Sequence, residues 1–229
     1  MAGCNIAIMK RFLVFMQIPI ILFAHGVTIG DQGYIQEING VNFVPFMYLG
    51  AKHMVTGYDH LLFLVGVIFF LYRLKDIGIY VSLFAVGHSS TLLLGVFADI
   101  HINPFIIDSI IGLSVVYKAL DNLGAFQRWF GVQPNTKIST LIFGLFHGFG
   151  LAAKIIEYDI DSHGLLTNLI AFNIGVEIGQ LLALSTILIL ISYWRKKSSF
   201  LTHAYSTNVL LMTFGFMLTG YQLFGYFNS

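Results

Sequence analysis

Four short stretches place imidazoles and carboxylates among residues that otherwise read as apolar helix. The first, KHMVTGYDHLLFL, holds His53, Asp59 and His60. Spacings of four and three put His53, Gly57 and His60 on one helical face. Two imidazoles so placed, with a carboxylate beside them, can ligate a divalent cation or relay protons. Neighbours on one straight helix cannot both reach a single small site. Asp59 is therefore expected to orient a histidine from behind, unless the helix adjusts locally. The alternative is an interfacial helix end, with His53 in headgroup water and Asp59 on terminal amides.

The second stretch, GHSSTLLLG, carries His88 in mid-helix, followed by Ser89, Ser90 and Thr91. The hydroxyls can bond their own backbone and need no function; His88 reads as a ligand or as a helix-packing hydrogen bond. The third, FGLFHGFGLA, sets His147 among Gly144, Gly148 and Gly150. Gly144 and Gly148 form a GxxxG pair, which by itself means only close helix packing. Lys154, further along, can snorkel. The fourth, NIGVEIGQ, gives Asn173, Glu177 and Gln180 as a polar stripe. An ionised Glu177 would need a cation or a protonated histidine nearby, and a neutral one could bond Asn173.

The elements that must position these groups are membrane helices. Of the 229 residues, 57% are hydrophobic and only 10% charged, and the mean hydropathy is +0.81. A soluble domain carries about 25% charged residues. Twelve Lys and Arg against eleven Asp and Glu cannot cover a water-facing surface in the usual way. The expected fold class is all-α, a polytopic helical bundle. Six spans are expected, near 54–72, 79–98, 104–120, 138–156, 165–192 and 204–226. An ionisable group inside such a span is costly and is a functional hypothesis by default. Spans three and six show no group comparable to the four stretches and read as scaffold. Segment 123–134 is too short to span and reads as an interfacial piece anchored by Trp129.

Residues 1–24 read as a signal peptide, with Lys10 and Arg11 ahead of an apolar run, or as an uncleaved first helix. Residues 25–50 read as an extracytoplasmic segment beginning at His25, and 51–229 as one transmembrane domain. The basic loops, with Arg73 and Lys75, then Lys118, Arg128 and Lys137, then Arg195 to Lys197, alternate with acidic loops around Asp99 and Asp159. The positive-inside rule puts the basic loops in the cytoplasm of a bacterial inner membrane and both ends of the body outside. Counted at 1.5 Å per residue, His88, His147 and Glu177 fall near mid-depth and Asp59 and His60 in the outer half. A single outward-opening site would collect all five.

Cys4 is the only cysteine, so an internal disulfide and a cysteine metal cluster are excluded. Imidazole and carboxylate without thiolate favour Ni²⁺, Co²⁺, Zn²⁺, Fe²⁺ or Mn²⁺, and the need for neutral imidazole makes binding weaken in acid. No basic patch points to nucleic acid. The partners read from the chain are membrane lipid and a divalent ion, with a homo-oligomer left open.

The stretches HMVTGYDHLLFL, GHSSTLLL, GLFHGFGLA and FNIGVEIGQ, in this order, resemble the HupE/UreJ family of hydrogenase and urease accessory proteins. The resemblance implies a nickel or cobalt permease of the secondary type. It assigns the metal to His53, Asp59, His60, His88, His147 and Glu177. His25 would correspond to a histidine that many members carry soon after signal cleavage. Met54 stands where members often have proline. The resemblance supports fold and metal more strongly than transport. Three other classes compete: a fixed Zn²⁺ site in a membrane enzyme, with Glu177 as base; an accessory subunit that only packs against partners; and a haem carrier with His88 and His147 as axial ligands.

Overall fold

The computed structural model describes residues 40–72, 74–157 and 163–229, so His25 and the leader expected over 1–24 lie outside the described residues. Eight helices occur and no strand is found among the described residues. They are α1 (Phe43–Thr56), α2 (Tyr58–Ile68), α3 (Leu74–Phe97), α4 (Pro104–Asn122), α5 (Ala125–Phe130), α6 (Thr136–Glu157), α7 (Leu165–Arg195) and α8 (Ser199–Asn228). Four segments are long and apolar enough to cross a membrane: Lys75–Phe97, Thr136–Ile156, Leu165–Arg195 and Ser199–Asn228. Their outer faces present large apolar side chains such as Ile189, Leu190, Leu201 and Phe224, as helices bathed in lipid do.

The first expected span differs from what the sequence suggested. Helix begins at Phe43, inside the segment read as extracytoplasmic, and breaks at Gly57 into α1 and α2. Pro45 lies in the first turn of α1, where its missing N–H costs nothing. Gly50 is a packing residue, since a methyl group there would overlap the carbonyl of Phe172 on α7. The short α5 exposes Trp129 and Phe130.

Packing is dominated by three helix pairs, α3 with α6, α1 with α7 and α4 with α8, and α2 touches α1, α4, α7 and α8. Small residues let the first pair approach closely: a methyl group on Gly148 would overlap the His88 carbonyl. Thr91 Oγ1 donates across the same seam to the Leu145 carbonyl at 2.7 Å. The C-terminal end of α2 is held by Arg195, whose guanidinium donates to the carbonyls of Ile68, Phe69 and Leu71. The three carbonyls lie at and just beyond the end of α2, where helical donors run out, and a cation there is favourable. The start of α4 is capped by Asn103, whose side chain accepts from Phe105 N at 2.9 Å, with Pro104 at the first helical position.

Helices α4 and α8 are not plain scaffold. Asp108, Lys118 and Asp121 on α4 and Asn208 and Gln222 on α8 are buried. Asp108 receives Lys154 Nζ from α6 at 2.8 Å, so Lys154 pairs within the bundle instead of snorkelling.

Candidate metal site

The break at Gly57 makes the site. Its φ of −70° and ψ of 108° are extended, so α1 ends just after His53 and α2 restarts just before Asp59 and His60. A straight helix would have turned Asp59 away. The break lets both Asp59 and His60 face the bundle interior, and they are 1% exposed. No side chain fits at residue 57, because a Cβ there would lie 2.5 Å from His60 Nδ1 and 3.1 Å from Asp59 Oδ1.

His60 is the hub. Its ring centroid is 5.0 Å from that of His53 on α1, 5.0 Å from that of His147 on α6 and 6.5 Å from that of His88 on α3. Its Nδ1 lies 3.2 Å from Asp59 Oδ1. With Nδ1 engaged by the carboxylate, Nε2 is the nitrogen left to ligate an ion. His147 is oriented in the same manner: Nδ1 stands 2.7 Å from the Phe143 carbonyl oxygen. A carbonyl only accepts, so Nδ1 carries the proton and Nε2 of the neutral ring keeps its lone pair. Two overlapping triads result, His53–His60–His88 and Asp59–His60–His147, each with ligand atoms within 4.8 Å of one another. All five side chains are buried.

Such a set suits a borderline divalent cation, which takes imidazole nitrogen and carboxylate oxygen together. The surroundings are aromatic. Phe84 packs on His147 at 4.9 Å and on His88 at 6.1 Å, Phe63 lies 5.9 Å from His147, and Phe172 lies 5.8 Å from His53.

Glu177, expected to converge with these groups, does not. It lies on the exposed face of α7 with Ile174, Ile178 and Leu181, whereas Asn173 and Gln180 turn inward. Counting residues along a helix gives depth but not azimuth. The inward face of α7 is set by Phe172, Val176 and Gly179 against α1. Asn173 does not bond Glu177: its Oδ1 accepts from Ser89 Oγ at 3.0 Å and its Nδ2 donates to the Leu169 carbonyl. Of the hydroxyls after His88, only Ser90 bonds its own backbone alone, to Val86; Ser89 and Thr91 tie α3 to its neighbours.

The fold and the site together define a polytopic helical membrane protein with a buried histidine and aspartate cluster suited to a metal ion. Residues 29–229 match the family described as HupE / UreJ protein, and the chain belongs to that family. Membership groups it with transporters and accessory proteins and apart from classical enzymes. Among curated proteins and solved structures, none matches the chain.

Proposed function

We propose that the protein is a permease for a divalent transition metal, Ni²⁺ first and Co²⁺ second, in the bacterial inner membrane. The observation that carries this reading is the His60-centred cluster at a broken helix. A discontinuous membrane helix with irregular backbone at depth is a recurrent way to build an ion site between helices. The four long apolar helices, α4 and the broken α1–α2 unit make six crossings, with the basic loops in the cytoplasm and both ends of the body outside. The ion enters from the outer side and meets His53, His60, His88 and His147 with Asp59. Several overlapping ligand sets serve transport better than one tight cage, because the ion must leave again.

Two competing readings lose support. A haem between His88 and His147 would need the volume that His60, Phe63 and Phe84 fill. A zinc enzyme with Glu177 as base would need that carboxylate beside the cluster, and it faces outward. The deciding experiment is nickel uptake by cells making wild type, His60→Ala or His88→Ala at equal membrane levels. Uptake that depends on both histidines supports the permease; normal uptake in both variants removes it.

A further inference from the structure

Two cavities lie in line beneath the histidine cluster, on the side of the basic loops, and no role in the site described above accounts for them. The nearer is a constriction of about 10 Å³, room for a single water centre. Its roof is Phe63 and Phe84, the rings that pack on His147, and its walls include Tyr80, Thr140 and Gln180. Gln180 is fully buried and neither of its amide atoms has a hydrogen-bond partner among the described residues. An unpartnered buried amide is costly and calls for an explanation. Here it is the one side-chain amide in an otherwise mostly apolar constriction.

The farther cavity, about 220 Å³, shares Val67 and Tyr80 with the first. It is lined by Lys118, Asp121, Asn122, Gln133 and Thr136. Val67 lies two helical turns below His60, about 10 Å along α2. Among the described residues, Asp121 is the only carboxylate lining this cavity. It binds Lys118 Nζ at 2.5 Å and Thr136 Oγ1 at 3.3 Å, and it also accepts from Gln133 Nε2. Both side chains of the Lys118–Asp121 pair are buried.

We propose that Asp121 is the release station for the cation leaving the histidine cluster, reached through the Gln180 constriction, with Lys118 as a built-in competitor that keeps the station weak. This rests on the permease reading. A divalent ion stripped of imidazole cannot cross the Phe63–Phe84 roof without oxygen donors, and Gln180, Thr140 and Tyr80, which line the constriction, carry them. Thr140 Oγ1 donates to the Thr136 carbonyl and so retains lone pairs for the ion. At Asp121 the arriving cation displaces the ammonium of Lys118, and the ammonium's return expels the cation. Weak sites in series let an ion both enter and leave.

The test uses the full chain in proteoliposomes, with Ni²⁺ alone outside and a fluorescent chelator inside, alongside equilibrium Ni²⁺ binding to the purified protein. Gln180→Leu and Asp121→Asn should bind Ni²⁺ at the histidine cluster as wild type does, while flux falls by about tenfold or more. Gln180→Leu removes an unpartnered amide, so its thermal stability should be no lower than wild type, which separates lost flux from lost fold. Lys118→Gln leaves Asp121 without its ammonium and should bind a second equivalent of Ni²⁺, which Asp121→Asn added to it abolishes. Wild-type flux in Gln180→Leu and Asp121→Asn, or a single equivalent bound by Lys118→Gln, overturns the release path while leaving the permease intact. Absence of flux through the wild type overturns both.

Discussion

His53 and His60 are seven residues apart on two different helices, yet their rings meet edge to face at 5.0 Å. In one continuous helix the same spacing would set them about two turns, or 10 Å, apart along the axis. The interruption at Gly57 is what turns a stripe of histidines into a site. A Cβ at residue 57 would press on both the His60 ring and the Asp59 carboxylate.

Gly57→Ala is therefore expected to leave the bundle inserted and to weaken Ni²⁺ binding by about tenfold or more, the scale on which misoriented ligands act. Titration calorimetry on the purified variant measures it. Affinity equal to wild type would show that the break does not set the ligand geometry.

Gly148 serves the other side of the site. A methyl group there would overlap the His88 carbonyl and Thr91 Oγ1 on α3. Gly148→Ala should lower stability by about 1–3 kcal/mol, the usual cost of overpacking, and should push His88 away from His60. Thermal unfolding in detergent reads the first effect and Ni²⁺ affinity the second. A variant unchanged in both would mean that α3 and α6 slide apart freely.

The sequence showed the type of the helices because long apolar runs with few charges report a bundle of apolar helices directly. It singled out His53, Asp59, His60, His88 and His147, which the fold brings together, because ionisable residues stand out in apolar runs. It did not show the azimuth of Glu177, which depends on which face of α7 the small residues of α1 approach. It also hid the pairings on α4. Asp108 in PFIIDSII was as visible as His88, but its partner Lys154 is 46 residues away and only packing joins them.

That pair gives a prediction of its own. Asp108 is 4% and Lys154 14% exposed at the side chain, so the charges sit in a poorly solvated place. Removing one partner strands the other, at a cost of about 3–5 kcal/mol, whereas an apolar replacement of both is often near neutral. Asp108→Asn should lose that much stability, and Asp108→Leu with Lys154→Met should recover most of it. A double variant as unstable as the single one would mean that the ion pair itself holds α4 to α6.

The proposed sidedness can be labelled directly. In a Cys4→Ser background, His163→Cys should react with an impermeant thiol reagent added to whole cells, and Lys196→Cys should react only after the membrane is opened. The two positions stand at opposite ends of α7, Leu165–Arg195. The reverse pattern would invert the bundle and put the Asp121 cavity on the outer side.

Glu177 separates binding from everything else. It lies outside the cluster on an exposed face of α7, while His88 is wholly buried within it. Glu177→Gln should leave the Ni²⁺ affinity of the purified protein within about threefold of wild type, because a side chain that makes no contact with the ion changes little. His88→Ala removes a nitrogen from the His53–His60–His88 triad and should weaken affinity by about tenfold or more. If both variants lose affinity equally, α7 must rotate to carry Glu177 inward when the ion binds, and the arrangement seen here is one of two states. If only His88 matters, the imidazoles and Asp59 hold the ion on their own.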